Sequence, residues 1–289
     1  MAVIPNFAME LTHLHKYGHT PLPYFPEGGN QKNGFTPRSG IGWKRLVGPI
    51  EPIGARQDMS LVTKWWPNSI TGEQYRVAAT RLALLEHQRP STVVAVTSAV
   101  QGEGKTTTVV NLGYTLARDL GKRTLLLECD FGRPMLHHYL DIQPRWGLAD
   151  ALVSDVPIEE CSACLGDVPC WIMPIGNLET NVYELLRTER FGQVLARCRE
   201  KFEYILINTP PILPLATMNM LEQHADVMLL VVRASSTTHQ VVKRALGSLR
   251  ANKPIHVILN AVEGQSLPNY MSDSYYQKIP QAKQPTSSV

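Results

Sequence analysis

The sequence predicts an α/β fold built on a mostly parallel central sheet with helices on both faces. Three observations carry this. Residues 93–96, 125–127, 204–207 and 227–232 are apolar without a polar interruption, the signature of strands covered on both sides. Segments with helical spacing separate them, as crossover connections between parallel strands require. Lys105, Asp130, Asn208 and Asn260 fall at or just beyond strand ends, where ligands bind in such sheets.

Taken in order, residues 1–61 are dense in Pro and Gly and lack sustained periodicity, so they read as a poorly ordered arm or an extended segment lying on a partner. Trp43 in that arm, with Trp65 and Trp66 just after it, suggests either docking or local contact with the main domain. Thr71-Gly72-Glu73 opens a helix to about Gln88, with Tyr75, Ala79 and Leu82 on one face and Arg89-Pro90 as its stop. The strand at 93–96 runs through a glycine-bearing turn into a helix over 105–120, which Gly121 ends. The strand over 125–130 ends in two carboxylates, Glu128 and Asp130. A loop and helical region follows, then a short strand at 171–176, a helix over 184–201 and the strand 204–208, broken by Thr209-Pro210-Pro211. A helix at 217–224, a strand at 227–232, a helix at 237–251 and a strand at 255–260 complete the pattern. The chain therefore divides into an arm (1–61), a nucleotide-binding domain (62–263) and a polar tail (264–289) expected to be disordered.

A chain of 289 residues, 44% hydrophobic, is long and apolar enough to bury one substantial core. Its net charge of +3 comes from scattered basic residues, which argues against a nucleic-acid partner. No apolar run approaches the roughly 20 residues of a membrane span, and Pro5 and Glu10 interrupt any signal-peptide pattern, so a cytoplasmic location is expected. Cys161, Cys164 and Cys170 lack a second CxxC or a nearby His pair, so reduced structural thiols are preferred to a zinc site.

The chemistry centres on residues 99–106, Ala-Val-Gln-Gly-Glu-Gly-Lys-Thr, a phosphate-binding loop with Ala99 where the usual pattern has Gly. Gly102, Glu103, Gly104, Lys105, Thr106 and Thr107 are the expected nucleotide contacts, with Lys105 as the fixed charge and Thr106 as a Mg²⁺ ligand. Asp130 is the acidic candidate for the metal. Glu128, two residues earlier, is expected on the same strand face, where either carboxylate can take a proton from an attacking hydroxyl. Asn208 ends the next strand with an amide that carries no charge, and Asn260 ends the last.

Residues 96–106, 126–134 and 204–211 resemble the Walker A, A′ and B motifs of bacterial tyrosine kinases of capsular and exopolysaccharide biosynthesis. Residues 181–186 and 257–260 are similar to further blocks, so the resemblance covers about 71–262. It implies a deviant P-loop ATPase fold of the partitioning-ATPase superfamily, use of ATP and Mg²⁺, autophosphorylation of tail tyrosines between subunits, and a membrane-spanning polysaccharide co-polymerase as partner. Tyr270, Tyr275 and Tyr276 are the acceptor candidates. The sequence departs from the family at Asn208 and Glu128, where the family has Asp, and at Ala79, in the third place of a Glu-x-x-Arg-x-x-Arg oligomerisation pattern that starts at Glu73 and Arg76.

Three readings follow: an active autokinase, a nucleotide-binding regulator with impaired catalysis, and a partitioning or division-site ATPase. Val100 stands where the last group carries a signature lysine. If catalysis is impaired by the missing Walker B carboxylate, Asn208→Asp is expected to raise turnover.

Overall fold

The computed structural model describes residues 2–5, 61–85, 89–140, 142, 145–154, 156–166, 168–176, 186, 189–213, 217–250 and 252–263. Among them, eight strands form one sheet: β1 (Ala2–Pro5), β2 (Thr92–Ser98), β3 (Thr124–Glu128), β4 (Ala163–Cys164), β5 (Cys170–Met173), β6 (Tyr204–Asn208), β7 (Val227–Arg233) and β8 (Ile255–Val262), in the order β1-β8-β7-β2-β6-β3-β5-β4. All neighbours are parallel except β4 and β5.

Every residue of β2, β3 and β6 is buried, and alternate side chains supply opposite layers. After the short helix α1 (Val62–Trp65), Tyr75 and Leu82 of α2 (Ile70–Leu85) and Val109 and Leu116 of α3 (Lys105–Leu120) join Val94, Val96, Leu126, Leu206, Leu229 and Val231 in one core. Leu125, Leu127, Ile205 and Ile207 face the other way, onto Leu148, Leu152, Phe191 and Leu195 of α5 (Leu148–Val153) and α6 (Glu189–Arg199). Met228 and Leu230 pack on Met218 of α7 (Thr217–Leu221) and Ala245 of α8 (His239–Ser248). A short helix α4 (Leu136–Tyr139) follows β3. Burial on both faces is why these strands read as unbroken apolar runs.

The sheet positions the site by its connections. From β2 the chain passes through α3 to β3, two places to one side, while β7 lies on the other side of β2. The loop after β2 therefore sits where strand order diverges, the usual crevice for a ligand. Gly104 and Gly121 bracket α3 with φ of 95° and 63°, left-handed values that favour glycine.

Three features differ from the expectations. β3 stops at Glu128, so the two-residue alternation does not extend to Asp130. The short strand near 171–176 ends at Met173 and pairs with β4, a two-residue strand too brief to leave a periodic signal. Within the proposed arm, Ala2–Pro5 forms an edge strand parallel to β8, with Val3 opposite Leu259. Four residues carry too little periodicity to mark such a strand; the open edge of β8 selects it. The tail with Tyr270, Tyr275 and Tyr276 lies outside the described residues, as do most of block 181–186 and the end of the helix expected to reach Gln88.

Candidate functional site

The loop and the start of α3 line a cavity of about 400 Å³ together with residues of α1, α2, the stretch after β3, β7 and β8. Gln101, Gly102, Gly104, Lys105, Thr106 and Thr107 form its floor, and Asp130, Arg133, Tyr139, Arg233 and Asn260 close around them. The first intrahelical bond of α3 runs from the Thr108 N–H to the Gly104 carbonyl at 2.9 Å. The N–H groups before it therefore have no helical partner and, with the positive end of the helix dipole, suit an anion.

Glycine is required at Gly104 twice over. Its φ of 95° is left-handed, and an added Cβ would stand 2.1 Å from Asn260 Nδ2. That same Nδ2 donates to the Glu103 carbonyl at 2.9 Å, so Asn260 on β8 holds the loop from outside while lining the cavity.

Lys105 is buried with its ammonium 3.8 Å from Asp130 Oδ2. Burial pulls its pKa below the usual lysine value, and the charges of Asp130, Glu103 and Glu128 work against that pull. Asp130 is pushed above the ordinary carboxylate range by desolvation, opposed by Lys105 and Arg133. The pair sets a buried cation beside a carboxylate whose proton affinity exceeds that of a free aspartate.

The two glutamates expected in the site are elsewhere. Glu103 is buried and points away from the cavity: Oε2 accepts from the Val100 N–H at 2.8 Å, and Oε1 accepts from the Arg233 N–H at 3.1 Å and the Thr237 hydroxyl at 2.6 Å. Glu128 is fully buried and takes four donors. Its Oε1 accepts from the Asp130 N–H (3.0 Å) and Asn208 Nδ2 (2.8 Å), and its Oε2 from the Met135 and Leu136 N–H groups (both 2.9 Å). Desolvation raises its pKa to about 7, against the lowering pull of those donors. Glu128 and Asp130 thus do not share one open site, because the chain leaves the strand after Glu128 and folds back over the Glu128 carboxylate.

Asn208 is also fully buried and lies behind Thr106, with Nδ2 at 3.3 Å and Oδ1 at 3.5 Å from the hydroxyl oxygen. Of the expected residues, Gly102, Gly104, Lys105, Thr106, Thr107, Asp130 and Asn260 line the cavity, whereas Glu103, Glu128 and Asn208 support it from behind. Sequence reasoning missed Arg133, Tyr139, Tyr75 and Arg233. Arg133 was visible only as part of a motif. Arg233, whose Nη1 donates to the Gly102 carbonyl at 3.3 Å, ends β7 as the other site residues end theirs, a signal that was available.

The donor set fits a magnesium-bound nucleotide phosphate: unpaired N–H groups at a helix start, a lysine, a threonine hydroxyl and one carboxylate in a single cavity. Among the described residues, no group of three or more His, Cys, Asp or Glu is arranged to hold a metal by itself. A cation here would draw on phosphate and water oxygens as well.

Comparison with known proteins agrees with this geometry. A family model described as "AAA domain" matches residues 91–252. Tyrosine-protein kinase YwqD of Bacillus subtilis is 27% identical over 77% of this chain and 93% of its own length. Tyrosine-protein kinase wzc of Salmonella typhimurium is 29% identical over 80% of this chain, which spans only 32% of that relative. The crystal structure of the VpsO kinase domain superposes with a TM-score of 0.59 at 32% identity, over 66% of this chain and 96% of that one.

Proposed function

This chain belongs to the AAA domain family, among the bacterial tyrosine-protein kinases, and on that premise we propose that it is an ATP- and Mg²⁺-dependent, tyrosine autokinase-like regulator of capsule or exopolysaccharide polymerisation or export. The observation that carries the reading is the placing of Lys105 and Asp130 3.8 Å apart in the cavity at the start of α3. In this reading the N–H groups of Gly102–Thr107 and the Lys105 ammonium hold the β- and γ-phosphates, and Thr106 and Asp130 face the cation. Magnesium, when bound, offsets phosphate charge and orients the γ-phosphate. Asp130 accepts the proton of an incoming tyrosine hydroxyl, whose free pKa is near 10. The phenol oxygen then bonds to the γ-phosphorus as the bond to the bridging oxygen breaks, leaving phosphotyrosine and ADP. Glu128, with both oxygens occupied, positions Asp130 and takes no proton from the substrate.

The acceptors in this reading are Tyr270, Tyr275 and Tyr276, presented by a neighbouring copy. The partner is a membrane-spanning polysaccharide co-polymerase that recruits the chain to the inner face of the cytoplasmic membrane. Among the described residues, no helix is long and apolar enough to cross a membrane. Purified chain given Mg²⁺-ATP is expected to yield tail phosphotyrosine, detected by mass spectrometry, and Lys105→Met to abolish it. A second reading, a nucleotide-occupancy switch without phosphoryl transfer, is favoured by one observation: Asp130 is the one carboxylate among the described residues lining the cavity. ATP binding without phosphotyrosine, even with the partner's cytoplasmic segment added, selects that reading.

A further inference from the structure

From Thr106 in the cavity floor, a hydrogen-bonded chain runs back through the buried Asn208 and Glu128 to the turn after β3. We infer that Asn208 is a positioning residue: its amide, able to donate to Glu128 while accepting from Thr106, sets the metal-facing side of the site, so that an aspartate in its place weakens the site. The inference rests on the nucleotide reading of the same cavity.

The Glu128 carboxylate dictates the direction of the amide. An oxygen 2.8 Å from Glu128 Oε1 would be repelled, so Nδ2 faces it and Oδ1 lies toward Thr106 Oγ1, at 3.5 Å. A threonine hydroxyl that gives its single proton to Oδ1 keeps its lone pairs free on the cavity side, where a cation would use them. The 3.3 Å approach of Nδ2 to the same oxygen limits the hydroxyl to a narrow range of positions. The same Glu128 Oε1 also accepts from the Asp130 N–H, and Oε2 accepts from the Met135 and Leu136 N–H groups; these three bonds shape the turn that aims Asp130 into the cavity. One amide therefore links both protein groups that would face the metal.

An aspartate has the size of asparagine but no proton to give. The strands leave it no room to retreat, since Asn208 lies opposite both Glu128 on β3 and Val96 on β2. Two carboxylates at this spacing in a dry interior repel strongly. While both are ionised, relief requires Glu128 to move and release the turn that carries Asp130. Asn208→Asp, the change expected from sequence to raise turnover, should therefore lower it.

The test titrates the full chain with ATP by calorimetry, in excess Mg²⁺ and again in EDTA, for wild type, Asn208→Asp, Asn208→Ala and the double variant Glu128→Gln with Asn208→Asp. Thermal unfolding of each unliganded protein reports folding. Asn208→Asp should weaken binding in Mg²⁺ by about 10- to 100-fold, the usual cost of a lost group behind a metal site, with a much smaller loss in EDTA. Asn208→Ala should fall between wild type and Asn208→Asp. The double variant, which restores one amide facing one carboxylate, should bind more tightly in Mg²⁺ than Asn208→Asp alone. Binding by Asn208→Asp equal to or tighter than wild type overturns the inference, as does a double variant no tighter than the single one. If Asn208→Asp does not fold, Asn208→Ala decides: equal losses in Mg²⁺ and EDTA overturn it. Wild type that binds no ATP in either buffer defeats the nucleotide reading itself, a result distinct from all of these.

Discussion

One buried glutamate, Glu103, lies in the phosphate loop and another, Glu128, at the end of β3, and they do different work. On the β7–β8 side, Glu103 ties the loop to the start of the segment after β7 through Val100, the Arg233 backbone and Thr237, while Asn260 holds the Glu103 carbonyl. On the β3–β6 side, Glu128 ties the end of β3 to the turn that follows and to Asn208. The first brace contains groups that shape the loop and none that would face a cation. The second touches Thr106 and Asp130, the groups that would. Buried carboxylates of the same chemistry thus separate, under the proposed function, into a brace for phosphate and a brace for metal, according to which backbone N–H groups surround them.

Substitutions on the first side should impair nucleotide binding whether or not magnesium is present. The largest effect is expected at Gly104. Its alanine variant must adopt a left-handed φ and displace Asn260, and ATP affinity should drop by more than about 100-fold, roughly 3 kcal/mol, in both Mg²⁺ and EDTA. Retained affinity in EDTA would break the assignment of this side to phosphate.

Glu103→Ala strands two backbone N–H groups and a hydroxyl, at a cost of about 1–3 kcal/mol for each group that finds no water. It should lower the unfolding temperature and weaken ATP by similar factors in the two buffers. A loss seen only with Mg²⁺ would show that the two braces are not separable. Asn260→Ala removes one hydrogen bond to the loop, worth about 0.5–1.5 kcal/mol, so a threefold to tenfold loss is expected in both buffers.

The smallest effect sharpens the comparison from outside it. His224 packs edge-on against Phe191, 5.0 Å away, and bonds to neither brace. Burial, with the Lys253 charge, lowers its pKa below the usual histidine value. The folded protein therefore binds fewer protons than the unfolded chain between that lowered pKa and about 6.5, so this contribution is full above pH 6.5 and is lost on acidification. His224→Phe should flatten the fall in unfolding temperature just below pH 6.5 and leave ATP affinity at pH 7.5 unchanged. A shift in ATP affinity would mean that changes in the helical layer reach the loop, and the two-brace comparison would then need a third term.

The tyrosine-kinase resemblance and the parallel sheet were both legible because their signals are local. Strands buried on both faces are unbroken apolar runs, and β6 begins and ends at Tyr204 and Asn208 as expected. A phosphate loop is contiguous in sequence, so Gly102, Gly104, Lys105, Thr106 and Thr107 could be picked out together, and they line one cavity. Asp130 and Asn260 followed from the rule that ligands gather at strand ends.

Tertiary structure decided which polar residues face the cavity and which support it. The identity of a carboxylate says nothing about how many N–H groups will surround it, and that number separates Asp130 from Glu128. Glu103 lies within the loop motif, yet its side chain is claimed by Thr237 and the Arg233 backbone, 134 and 130 residues away. Asn208 read alone is a missing charge; beside Glu128 it is the donor that a buried carboxylate requires. Strand and loop follow from neighbours in the chain, whereas hydrogen-bond satisfaction in a dry interior is settled among residues that only the fold brings together.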